Sequence, residues 1–189
     1  VFSNIQKTIQ YLLSANTAEV LCIFLATLFG WDVLDPVHLL WINLVTDTLP
    51  AIALGVEPAE PGVMQHKPRG RNSSFFSGGV MSSIIYQGIL QAALVLGVYG
   101  FALFFPEHST YEEIHADALT MSYLTLGLIQ LVHAFNVKSV YQSIFTVGPF
   151  KNRLFNWSIV AAFLLLMATI VIPGFNTFFH VTHLSVTQW

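Results

Sequence analysis

The chain has 189 residues, 54% of them hydrophobic and only 9% charged, with a mean hydropathy of +0.66 and a formal net charge of −3. A water-soluble domain carries about 25% charged residues, because its surface has to be wetted. This composition excludes an ordinary soluble core and makes hydrocarbon the natural solvent for most of the side chains.

Stretches long and apolar enough to cross about 30 Å of hydrocarbon run over 8–29, 38–56, 79–105, 118–137 and 154–173. Each is continuous, whereas a membrane barrel would show short alternating segments. Backbone groups in lipid must be satisfied within the segment, so all five are expected to be helices. The fold class predicted is therefore an all-α membrane protein, a bundle of about five transmembrane helices.

All 7 Lys and Arg residues then fall on one side. Lys7 precedes the first span; Lys67, Arg69 and Arg71 follow the second; Lys138, Lys151 and Arg153 follow the fourth. By the positive-inside rule this side is cytoplasmic. The opposite loops hold Asp32, Asp35, Glu107, Glu112, Glu113 and Asp117 and no basic residue. The cytoplasmic loop 57–77 carries Pro58, Pro61 and Pro68, which break helices, and reads as a semi-rigid connector. After Pro173 and Gly174 the chain is expected to emerge outside, and since a sixth span that would return it is absent, the fragment is expected to end early. It begins without Met, and no cleavable signal peptide precedes the first span, so a piece of a longer polypeptide is expected. The single Cys22 cannot form an internal disulfide, and no nucleic-acid partner is expected.

Among the 7 basic and 10 acidic side chains, only Glu19 and Asp47 lie well inside a span. An ionised carboxylate at mid-bilayer costs on the order of 3 kcal/mol or more, so it marks a partner, a cavity or a cation. Asn16 stands three residues before Glu19, and Asn43, Thr46 and Asp47 share the face set by i, i+3 and i+4 spacing. Carboxylates, amide carbonyls and a hydroxyl are hard oxygen ligands that suit calcium, whereas softer metals need thiolates or clustered His. Pro50, three residues beyond Asp47, removes a backbone donor and loosens the helix beside this stripe. A lone Asn or Thr in a span is more often interhelical glue than a ligand. Five oxygen side chains on two successive helices, both buried acids among them, favour the ligand reading. Gln130 is the candidate from the fourth span, balanced between ligand and structural hydrogen-bonder. His133 reads as a neutral packing residue, and His180 and His183 are too few and too exposed to form a metal site.

These residues sit in strings with a family resemblance. YLLSANTAEVLCIFLATLFG resembles the fifth transmembrane helix of P-type calcium ATPases. LDPVHLLWINLVTDTLPAIALGVEP is similar to the sixth, and its NLVTD–LPA–ALG string is specific. The resemblance continues through MQHKPR and covers essentially the whole chain, ending at LSVTQW in the turn before a tenth helix. It implies a fragment, helices five to nine, of a ten-helix transmembrane domain. It also implies calcium ligands at Asn16, Glu19, Asn43, Thr46 and Asp47, with Asp47 shared between two sites. Where the sarcoplasmic-reticulum type has a glutamate on the eighth helix, this chain has Gln130. That departure removes one negative charge and leaves open whether one or two ions move per cycle.

The resemblance implies further that ATP and Mg2+ act only in cytoplasmic domains of the parent, and that the N-terminal membrane helices belong to the same chain. Aspartyl phosphorylation there would drive alternating access, with protons returning through the same carboxylates. The 189 residues hold no catalytic residue for ATP hydrolysis. Alternatives are a sodium/potassium-type pump, disfavoured by Asn43, and a calcium/manganese pump, disfavoured by Thr46. A secondary transporter or channel subunit would not need the NLVTD–LPA string and would be expected to show inverted repeats, none of which is found. A third reading is a structural membrane module, and the isolated fragment is itself expected to fold but transport nothing. A multi-pass protein of the plasma membrane is expected, because no retention signal is recognisable.

Overall fold

The computed structural model describes residues 2–58, 74–76, 78–139, 148 and 150–189. Most of the loop expected over 57–77, with Lys67, Arg69 and Arg71, lies outside the described residues. Within them every regular element is a helix, and there is no strand. Helix α1 spans Phe2–Phe29 and α2 spans Pro36–Trp41. A π-helical segment, Ile42–Asp47, runs directly into α3, Thr48–Gly55. Then follow α4 (Val80–Phe104), α5 (Tyr111–Asn136), α6 (Arg153–Val171) and the short α7 (Phe175–Phe178). Counting α2, the π segment and α3 as one rod, 5 of the described helices are long and apolar enough to cross a membrane.

The ends differ from the hydropathy limits for local reasons. α5 begins at Tyr111, seven residues before the apolar stretch, because Glu112 and Glu113 in its first turn oppose the positive end of the helix dipole. α2 starts at Pro36, whose missing N–H is harmless in a first turn. There the Asp35 N–H donates to His38 Nδ1 at 3.3 Å, so the other ring nitrogen, Nε2, carries the proton that Phe179 O accepts at 2.6 Å. α6 is capped by Asn152, whose Oδ1 accepts from the Phe155 N–H at 3.2 Å.

α5 is the most enclosed helix; α4 packs on it, α1 packs along α4, and α3 bridges α1 and α6. Two close approaches depend on glycine. A Cβ at Gly88 of α4 would lie 2.7 Å from Thr17 Cγ2 of α1, and one at Gly127 of α5 would lie 2.6 Å from Leu166 Cδ2 of α6. Large apolar side chains such as Val20, Phe24, Leu44, Leu94 and Leu164 face outward, as a lipid-solvated bundle requires.

The interior divides into two apolar clusters. One includes Cys22, Ile42, Tyr99, Leu126 and Leu166; the other, toward the Lys138 end of α5, includes Tyr11, Ala51, Leu54, Ala134 and Phe155. Along α1, the π segment and α5, Glu19, Asp47 and Gln130 are among the residues that lie between the clusters. At the opposite end of the bundle from Lys138, Asp117 accepts from Thr182 Oγ1 at 2.9 Å and Gln188 Nε2 at 2.7 Å, fastening the final segment to α5. Hydrogen bonds from the Thr187 and then the Ser185 hydroxyl hold the exposed Glu107 carboxyl below the usual glutamate range.

Candidate cation site

The helix winding changes where the sequence places its oxygen stripe. Pro50 offers no N–H to the carbonyl four residues earlier, Thr46, and the preceding turn is wound as a π-helix. The Thr48 hydroxyl donates to Asn43 O at 2.9 Å, satisfying a carbonyl in that turn with a side chain. The segment Ile42–Asp47 carries Asn43, Thr46 and Asp47, so three of the candidate residues sit on the irregular turn itself.

Asn43 Nδ2 donates to Glu19 Oε2 at 2.7 Å, and Gln130 Nε2 donates to Glu19 Oε1 at 3.4 Å. One carboxyl of α1 is thereby joined to the π segment and to α5. Asp47 is met from the other side by the Tyr11 hydroxyl, which donates to its Oδ1 at 3.2 Å. Thr46, Asp47 and Gln130 are at most 1% exposed and Glu19 is 6% exposed.

No ion pair to either carboxyl is present among the described residues. Asp47 Oδ2, Thr46 Oγ1 and Gln130 Oε1 are buried and have no hydrogen-bond partner among the described residues. Buried oxygens normally find donors, and leaving them without costs about 1–3 kcal/mol each. Lone pairs with no donor, beside carboxyls with no cationic side chain, are what a hard cation would complete. Among the described residues no three His, Cys, Asp or Glu side chains form a cluster.

Asn16 does not join this group. It is exposed on α1, one turn from the buried Glu19, and makes none of the contacts above. His133 packs in the core, with its Nε2 2.6 Å from Ser14 Oγ and its ring stacked on Tyr11 at 5.8 Å. Sequence reasoning missed Tyr11. The signal for it was spacing: Tyr11 and Glu19 are eight residues apart, about two helical turns on one face of α1.

A helical membrane bundle that buries carboxyls at mid-span has the architecture of an ion-transport domain. Residues 32–189 match the family described as cation transporting ATPase, C-terminus, and the chain belongs to that family. It is 39% identical over 200 residues to "Calcium-transporting ATPase 1" of Bacillus cereus, covering 100% of this chain and 22% of that protein. It is 33% identical to "Calcium-transporting ATPase" of Bacillus subtilis, covering 100% of this chain and 21% of that protein. It is 31% identical to "Endoplasmic reticulum calcium ATPase srcA" of Aspergillus fumigatus, again covering 100% of this chain and 22% of that protein. The chain thus spans about a fifth of the length of these relatives.

Proposed function

We propose that this chain is the membrane part of an ATP-driven pump that binds and translocates Ca2+, with Glu19, Asn43, Thr46, Asp47 and Gln130 as ligands. The observation that carries the reading is the set of buried oxygens, Asp47 Oδ2, Thr46 Oγ1 and Gln130 Oε1, that have no donor among the described residues, beside two carboxyls that have no basic partner among them. A divalent ion there would replace the Asn43 and Gln130 amide donors at Glu19 with a stronger positive centre. The irregular turn Ile42–Asp47 would let the oxygens rearrange without breaking a regular ladder.

When the ion departs, two carboxylates would remain buried without a counter-charge. Protons are then the simplest replacement, and counter-transport of protons belongs to this proposal. Asn16 has its place in the same reading. Its exposed face would be covered in the longer parent by further membrane helices, and its oxygen would complete the ligand set. ATP and Mg2+ would act in cytoplasmic domains of that parent. The plasma membrane is the location we assign, although one relative is named for the endoplasmic reticulum.

The test is ATP-driven uptake of radioactive calcium into vesicles holding the full-length parent, with manganese, sodium and potassium as alternative stimulating ions. Calcium uptake that requires ATP supports the proposal. ATPase activity stimulated by another cation, with no calcium uptake, would overturn the choice of ion.

A further inference from the structure

A second buried charged group lies outside the cation site, at the cytoplasmic end of α3. Glu57, two residues past that helix, is 7% exposed, and Lys138, two residues past α5, is 0% exposed. Lys138 Nζ is 3.5 Å from Glu57 Oε1, donates to Gly148 O at 3.3 Å and lies 5.1 Å from the centre of the Phe155 ring. Asn152 Nδ2 donates to Glu57 Oε2 at 2.5 Å while its Oδ1 caps α6. Asn4 Nδ2 of α1 donates to Glu57 O at 2.6 Å and to Gly55 O at 3.2 Å.

Three helices, α1, α5 and α6, thus converge on one glutamate. Stability alone explains this poorly, because a buried ion pair is often no better than apolar residues of the same volume. What such a pair supplies is direction, since each oxygen of Glu57 has its own donor from a different element. Between Glu57 and Asp47 runs only α3, 8 residues and about 12 Å of regular helix. Its far end is the π segment, the softer part of the rod.

We propose that Glu57 and Lys138 form a positioning pair that pins the cytoplasmic end of α3 to its neighbours and so fixes where Asp47 stands in the cation site. Rearrangement on ion binding is then confined to Ile42–Asp47, while α3 stays registered against α1, α5 and α6. This inference rests on the reading of the parent as a calcium pump.

The experiment measures the calcium concentration for half-maximal ATPase activity of the full-length parent in vesicles, together with its maximal rate and its melting temperature in detergent. The variants are Glu57→Gln, Lys138→Met, Lys138→Arg and the exchange Glu57→Lys with Lys138→Glu. Glu57→Gln and Lys138→Met are expected to raise the half-maximal concentration about fivefold or more, with the maximal rate retained. Lys138→Arg should stay near the parent, and the exchange should recover part of the loss. Unchanged half-maximal calcium in both single variants overturns the pair. Equal loss of melting temperature and maximal rate, with no shift in calcium dependence, also overturns it by making the pair a folding element. A parent indifferent to calcium overturns the calcium reading instead, and the same variants then score the pair on whichever cation does stimulate.

Discussion

Asn43 Nδ2 lies 2.7 Å from Glu19 Oε2, so an amide on the irregular turn holds a buried carboxyl of a neighbouring helix. The same Nδ2 also donates to Leu39 O at 3.0 Å, which fixes the amide's rotation and turns its oxygen the other way. Asn43→Ala removes both the donor that steadies Glu19 and a candidate ligand oxygen. Loss of a hydrogen bond to a charged group costs about 1.5–3 kcal/mol, and half-maximal calcium should rise about tenfold or more. Calcium-dependent ATPase titrations of the full-length parent and the variant check this. An unchanged midpoint would remove Asn43 from the site.

Asp47 combines a buried carboxyl, one oxygen bonded to Tyr11 and one with no partner. Asp47→Asn keeps its size and can still accept from the Tyr11 hydroxyl, but removes the charge that best compensates a divalent ion. Calcium uptake is expected to vanish while the protein still folds, as judged by its yield and melting temperature in detergent. Near-normal uptake by this variant would sink the assignment of the site.

Hydropathy and the distribution of basic residues made the spans legible, because lipid imposes one rule on every residue of a segment. The same rule exposed Glu19 and Asp47, since carboxyls inside a span stand out against their neighbours. Pro50 pointed to a loosened turn, and Ile42–Asp47 is wound as a π-helix. Tyr11 and the Glu57–Lys138 pair were not legible. A tyrosine in a span is commonplace, and the partners of Glu57, just past α5 and at the cap of α6, lie 81 and 95 residues away in the numbering. Asn16 shows the limit of face arguments. A one-turn offset is not a perfect register, and Asn16 is exposed where Glu19 is buried.

Gly127 permits close contact between α5 and α6, since a Cβ there would meet Leu166 Cδ2 at 2.6 Å and Cδ1 at 3.0 Å. Leu166 is fully buried and has little room to withdraw. Gly127→Ala should therefore destabilise the bundle by about 1–3 kcal/mol. Shortening the neighbour in the double variant Gly127→Ala/Leu166→Val should recover part of that loss, because the two positions share one contact. Thermal unfolding in detergent measures both. Additive losses would show that the contact is not what limits the packing.

Gln130 contributes an amide donor to Glu19 Oε1 at 3.4 Å and an oxygen, Oε1, with no partner. Gln130→Glu would replace the donor with a third carboxyl facing the Glu19 carboxyl. Without a cation the change should destabilise the bundle, because like charges would be forced together in a buried place. With calcium bound, the added charge should tighten binding or complete a second site. The melting temperature of the variant should therefore fall in chelator and rise more steeply with calcium than that of the parent, by the linkage of binding to stability. Calcium transported per ATP hydrolysed supplies the second readout, and a higher ratio would mean that the added carboxylate creates another place for an ion. An unchanged ratio together with an unchanged calcium midpoint would make Gln130 a structural partner of Glu19 and nothing more.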